Sequence, residues 1–190
     1  MLYLEILAVI FGLAYLFFLI REQIICWAFG IVGSLFSVIL FYKTALYSEA
    51  ILYLYYVVIG CYGFYHWNAP KTKNQSLPVT DFHNLSYVYQ IVITEILAII
   101  LGFVFSKYTD AAMPYLDAQT TLFSFLASFL EARKKLSAWK FWIVINAVTI
   151  VLYLQKELNY YTVLTFVYLV FSFVGYYKWK KKMSQQTILV

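Results

Sequence analysis

The chain has 190 residues, of which 64% are apolar and only 12% charged, with a net charge of +5. Soluble domains run about 45–50% apolar and about 25% charged, so this composition excludes a water-soluble fold and makes the bilayer the natural solvent. The basic residues sit in short clusters between apolar runs, the pattern of topogenic charge, and no nucleic-acid partner is expected.

The first apolar run, about 2–20, opens on Met1-Leu2-Tyr3-Leu4-Glu5. It lacks a basic leader region and an A-x-A site, which predicts an uncleaved span. Further runs follow at about 23–42 and 48–67. Cys26 and Cys61 fall inside them without a CxxC motif and read as small buried hydrophobes. His66 and His83 stand alone, so neither a metal site nor a cofactor is expected. Residues 68–86 then form the one long polar connection, holding Pro70, Pro78, Lys71 and Lys73, and read as an extramembrane linker. Four more runs lie at about 87–106, 115–131, 139–155 and 160–178. Each is near the roughly 17–25 residues that cross the hydrocarbon core as a helix. All three prolines, the third being Pro114, lie between runs and all seven glycines within them.

Seven spans divide the loops between two sides. One side carries eleven basic residues: Arg21, Lys71, Lys73, Arg133, Lys134, Lys135, Lys140, Lys178, Lys180, Lys181 and Lys182. The other carries three, Lys43, Lys107 and Lys156. The positive-inside rule puts the first side in the cytoplasm, with the N-terminus outside and the C-terminus inside.

A shift of 112 residues matches 3–67 with 115–179 without a gap, giving 17 identities in 65 positions. Among them are Arg21/Arg133, Trp27/Trp139, Gly63/Gly175 and Trp67/Trp179. The repeat unit is three helices, and one helix separates the two units, so both keep the same orientation. Domains are therefore expected at 1–67 (first repeat), 68–106 (linker and linking helix), 107–183 (second repeat) and 184–190 (tail). The fold class is an all-α integral membrane protein, and parallel repeats of this kind are typical of transporters.

Polar residues inside the spans carry the site expectations. Trp139, Trp142, Asn146, Thr149 and Tyr153 follow alternating three- and four-residue steps, which places them on one face of span 6. Asp117, Thr121, Ser124 and Ser128 form a similar stripe on span 5, and Gln90, Thr94 and Glu95 sit on span 4. Interfacial anchoring by Trp139 and interhelical bonding by Asn146 explain the span 6 stripe as readily as a ligand site does. The span 5 stripe is more often helix packing, whereas a mid-membrane carboxyl at Glu95 calls for a cavity, a partner or a proton. The span 2 mates of the span 6 stripe are Trp27, Gly30, Ser34, Ser37 and Phe41, smaller at four of five positions. This suggests one site off the pseudo-axis, with contacts from span 6 and room from span 2. Trp67 and Trp179 end their spans and read as interface anchors.

These stretches together resemble the PnuC family of bacterial vitamin transporters. The W-x-x-W-x-x-x-N/D motif stands here as Trp139, Trp142 and Asn146. It is supported by Asp117–Thr121, by Ala132-Arg133-Lys134-Lys135, by Trp27-Ala28-Phe29-Gly30-Ile31, and by the Gly-x-x-x-Trp endings at Gly63 and Gly175. The resemblance implies a SWEET-like fold of three, one and three helices in the bacterial inner membrane, a homotrimer, and facilitated diffusion of a vitamin trapped inside by phosphorylation. Nicotinamide riboside is the implied substrate, thiamine or another vitamin such as riboflavin the alternative and a membrane enzyme a more distant one, and Trp139, Trp142 and Asn146 map onto the family's substrate motif. Both ligands are flat cations that a tryptophan face attracts, while Asn, Thr and Ser can satisfy an amide or hydroxyls. Tyr153, Thr121, Ser124, Gln90 and Glu95 complete the candidate substrate-binding set. No HExxH, GxSxG, P-loop or paired-carboxylate motif points to an enzyme; Asp110 and Asp117 border span 5 without a second acidic cluster.

Overall fold

The computed structural model describes residues 2–43, 47–68, 77–81, 84–109, 113–155 and 159–188. Among them run seven helices: α1 (Leu2–Ile20), α2 (Ile25–Lys43), α3 (Tyr47–Asn68), α4 (Asn84–Tyr108), α5 (Pro114–Ala132), α6 (Ser137–Gln155) and α7 (Asn159–Ile188). Pro70, Lys71, Lys73, His83, Asp110 and Lys156 lie outside the described residues.

Four helices, α1, α2, α4 and α6, are long and apolar enough to cross a membrane by length and composition. The other three have the length, at 22, 19 and 30 residues, but mixed composition. Helix α5 carries Asp117, Gln119, Thr120, Thr121, Ser124, Ser128 and Glu131, and α7 runs on through Lys178 and Lys180 to Lys182. Apolarity alone therefore marks four spans among the described residues, where the run lengths suggest seven.

Shifting the bounds of α1 and α2 by 112 residues reproduces those of α5 and α6, and α3 and α7 start 112 residues apart. The connecting turns match bond for bond. Glu22 N–H donates to Leu19 O and Gln23 N–H to Phe18 O, at 2.9 and 3.0 Å. Lys134 N–H donates to Glu131 O and Lys135 N–H to Leu130 O, both at 2.9 Å. Each pair is a Schellman cap, which needs a left-handed residue after the helix. Glu22 (φ 55°) and Lys134 (φ 51°) fill that position without being glycine.

The chain forms two compact units. The first comprises Met1–Val79, Glu131–Lys134 and Lys178–Val190. In it the two left-handed residues bond each other. Lys134 Nζ lies 2.9 Å from Glu22 Oε2, with both side chains at most 5% exposed, and Lys182 Nζ lies 3.0 Å from Glu22 Oε1. Lys134 Nζ also donates to Leu77 O and sits 4.4 Å over the Trp67 ring. Burial pulls the Lys134 ammonium below the ordinary lysine range, while the bond and charge of Glu22 oppose that fall. The buried Glu131 accepts from the Tyr15 hydroxyl at 2.9 Å.

Trp179 is not a lipid-facing anchor, and the half-buried Trp67 lies against it. Trp179 is fully buried, the two rings lie 6.3 Å apart, and Trp67 Nε1 donates to Ala132 O. The small face of α2 is also filled within its own unit, because a Cβ on Gly30 would come within 2.8 Å of the Tyr15 ring.

The second unit comprises Thr80–Leu130 and Lys135–Tyr177. Ala127, Leu130, Ala138, Phe141 and Ile145 form its core, with Tyr87 and Ile91 of α4, Phe123 and Leu126 of α5 and Trp142 of α6 packed against it.

Candidate functional site

All eight candidate residues fall in this second unit. Helix α6 is fixed at its start by the end of the linker. Ser137 N–H donates to Asp81 Oδ1 at 3.2 Å, and Asp81 Oδ2 pairs with Lys140 Nζ at 3.1 Å. A carboxylate at a helix N-terminus satisfies free N–H groups and complements the dipole. A backbone bond from Leu136 N–H to Thr80 O, at 2.8 Å, holds the same junction.

From that start the α6 face presents its stripe. Trp139 is fully buried, and a Cβ on Gly175 of α7 would stand 2.5 Å from its ring. The indole therefore seats α6 in a notch that only glycine leaves open. Trp142, half-buried, packs against the core shared with α4 and α5. Asn146 is 8% exposed, and its Nδ2 donates to Ser172 Oγ of α7 at 3.1 Å. Ser172 Oγ in turn donates to Tyr168 O at 2.8 Å. Thr149 and Tyr153, further along the face, are half-buried.

On α5 the hydroxyls turn back on their own helix. Thr121 Oγ1 donates to Asp117 O at 2.8 Å, Ser124 Oγ to Thr120 O at 2.6 Å, and Ser128 Oγ to Ser124 O at 2.8 Å. Such bonds use the hydroxyl proton and leave only lone pairs for a ligand. On α4, Glu95 Oε1 accepts from Gln119 Nε2 at 2.8 Å, which gives the mid-membrane carboxyl its partner. Gln90 Oε1 is buried and accepts no hydrogen bond among the described residues.

The structure thus brings Trp142 to α4 and α5 and ties Asn146 to α7. Glu95 and Asn146 take different partners. Two polar contacts of this unit escaped the sequence reading, that of Gln119, which lies in the Asp117–Thr121 stretch, with Glu95 and that of Ser172 with Asn146. Ser172 carried a weak signal: it is a hydroxyl in span 7 opposite Gly60 in the repeat, just as Asn146 stands opposite Ser34. For Gln119, spacing along α5 gives its face but not the helix opposite.

This arrangement has counterparts among known proteins. A family model described as nicotinamide mononucleotide transporter matches residues 2–181. The nicotinamide riboside transporter PnuC of Escherichia coli (strain K12) is 22% identical over 175 residues, covering 77% of this chain and 73% of that protein. The protein of the same name from Shigella flexneri matches to the same extent. A crystal structure of the vitamin B3 transporter PnuC shares the fold, with a TM-score of 0.79 at 21% identity, over 96% of this chain and 83% of that one. The match along almost the whole length, over helices whose apolar faces suit a bilayer, makes this chain a member of the nicotinamide mononucleotide transporter family.

Proposed function

We propose that the chain carries nicotinamide riboside across the bacterial inner membrane by facilitated diffusion, without enzymatic activity. The observation that carries this reading is the α6 face, where Trp142 and Asn146 stand one turn apart, in a unit whose α4 and α5 carry side chains that mostly accept hydrogen bonds. Gln90 Oε1 and the Glu95 carboxylate are acceptors, and the α5 hydroxyls offer lone pairs. A flat cation carrying a sugar has the matching inventory: positive charge for the indole face and hydroxyl protons for the acceptors. The relatives named for nicotinamide riboside support the same choice.

In this reading Trp142 stacks on the pyridinium, Asn146 bonds the ligand, and Trp139 holds α6 on α7. Gln90, Glu95, Thr121, Ser124 and Tyr153 line the space. The seven helices cross the membrane as parallel repeats, 1–67 and 107–183, joined by 68–106, with the tail at 184–190. The N-terminus lies outside and the C-terminus in the cytoplasm, in a homotrimer. The 112-residue recurrence of helix bounds and caps supports the repeats. The outward face of α4, with Val88, Val92, Ile96 and Phe103 exposed, is suited to lipid or a second copy, and native mass determination in detergent tests the trimer.

Calorimetric titration of purified protein with nicotinamide riboside and with thiamine tests the substrate. Binding of the riboside with thiamine silent is the expected result. Tight thiamine binding with no response to the riboside would keep the site and replace the substrate.

A further inference from the structure

We infer that Ser172 fixes the amide of Asn146 with its carbonyl oxygen toward the ligand, and that the site thereby selects the carboxamide form of its substrate over the carboxylic acid form. The inference rests on the reading that this unit binds nicotinamide riboside, and it adds a positioning residue and a direction of selectivity.

A serine hydroxyl has one proton to give. That of Ser172 goes to Tyr168 O at 2.8 Å, a helix carbonyl four residues back. Ser172 Oγ can then only accept, so the Asn146 atom facing it at 3.1 Å must be the donor, Nδ2. The amide orientation thus follows from the neighbouring bond and not from the appearance of the two ends, which are nearly alike. With Nδ2 engaged, Oδ1 remains, and no hydrogen bond engages it among the described residues. Ser172 is 2% exposed and Asn146 is 8% exposed, so water competes weakly for either. The arrangement exists in one half of the chain only, since the repeat mates of Asn146 and Ser172 are Ser34 and Gly60.

A fixed carbonyl oxygen takes a donor and repels an anion. Trp142 and Asn146 stand one helical turn apart, a rise of about 6 Å, so a ring lying against Trp142 directs its substituent toward Asn146. A carboxamide supplies an N–H there. The carboxylate analogue supplies only lone pairs and a negative charge, which leaves Oδ1 unpaired and opposed.

Binding of nicotinamide riboside and of its carboxylate analogue is to be measured by calorimetry on the intact protein and on Ser172→Ala, Asn146→Asp and the double variant. The parent should prefer the amide by at least about thirtyfold. In Ser172→Ala the Asn146 amide is free to turn its N–H₂ to the carboxylate, so the preference should fall by about tenfold. A purely structural loss would weaken both ligands alike, because they share ring and sugar. In Asn146→Asp both side-chain oxygens accept, so there is no orientation left to fix; the amide preference should persist, and adding Ser172→Ala should no longer reduce it. Equal affinity of the parent for both ligands overturns the selectivity while leaving the transport reading intact. A preference unchanged by Ser172→Ala, or reduced equally with and without Asn146→Asp, overturns the role of Ser172. A parent that binds neither ligand overturns the transport reading and this inference with it.

Discussion

Glu22 and Lys134 occupy left-handed backbone positions that glycine normally fills, and a side chain there costs on the order of 1–2 kcal/mol. What offsets that cost is the buried ion pair they form with each other, supplemented by Lys182. Breaking a buried pair from one side strands a charge, so Glu22→Gln should destabilise the protein by about 3–5 kcal/mol. The double variant Glu22→Gly/Lys134→Gly removes both charges and both strained positions, and should recover most of that loss. Thermal unfolding in detergent measures it; additive losses would show that the pair is not coupled. At the site, Trp142→Ala should weaken riboside binding by about 2 kcal/mol, roughly thirtyfold. Asn146→Leu should cost about 1–3 kcal/mol by stranding a ligand polar group. Parent-like titrations of both variants would remove α6 from the site. The face bearing these two residues was legible from spacing. Ser172 and Gln119 were not, because periodicity along one helix places a residue on a face without naming the helix that meets it.

Between elements, one contact occurs twice. A Cβ on Gly63 would come 2.5 Å from the Trp27 ring, and one on Gly175 would come 2.5 Å from Trp139. The identities at these repeat positions thus record a duplicated knob and notch, consistent with the use of small residues where membrane helices approach closely. Gly63→Ala and Gly175→Ala should each lower stability by about 1–3 kcal/mol through overpacking. They should part in function: Gly175→Ala shifts α6, which carries Trp142 and Asn146, and so should weaken binding, whereas Gly63→Ala should leave it near the parent. Titration and melting of the two variants side by side check this, and equal effects on binding would detach the Trp139 notch from the site. The positions of all seven helices were readable from apolar runs and the repeat. The length of α7 was not, because its last turns carry lysines and glutamines that an apolarity criterion rejects while Lys182 and Gln186 bond inside the first unit. The burial of Trp179 against the half-buried Trp67 escaped the sequence for a related reason. A tryptophan at a span end suits both a headgroup layer and a covered helix terminus, and only the surrounding chain decides.

Across the whole molecule, the segments assigned to one side of the membrane by the basic-residue count do converge in the first unit. Glu22 of the first turn, Leu77 and Val79 of the linker, Lys134 of the turn between α5 and α6, and Lys182 and Gln186 of α7 are joined there by hydrogen bonds and ion pairs. In the proposed arrangement loops that meet share one side, which fits the even number of helices, two, between each of these segments and the next. Impermeant labelling of Arg21→Cys and Lys107→Cys in intact cells then distinguishes the two faces. Lys107 should react and Arg21 should not if the N-terminus is outside.

The same whole-chain view bears on energetics. Downhill transport needs no coupling group, and Glu95 is the one α4 carboxyl placed to act as such a group. Its Oε1 is held by Gln119 Nε2 at 2.8 Å. A neutral glutamine at position 95 keeps an acceptor for that bond, so Glu95→Gln removes the proton-binding chemistry while preserving the contact between α4 and α5. Protein reconstituted in liposomes should therefore exchange internal for external riboside with no imposed gradient, in the parent and in Glu95→Gln alike, the variant differing only in affinity. A proton gradient should change the rate of neither and should produce no accumulation above the external concentration. Accumulation that follows the imposed gradient in the parent and disappears in Glu95→Gln would make Glu95 a coupling site and the protein a proton-linked carrier instead of a facilitator.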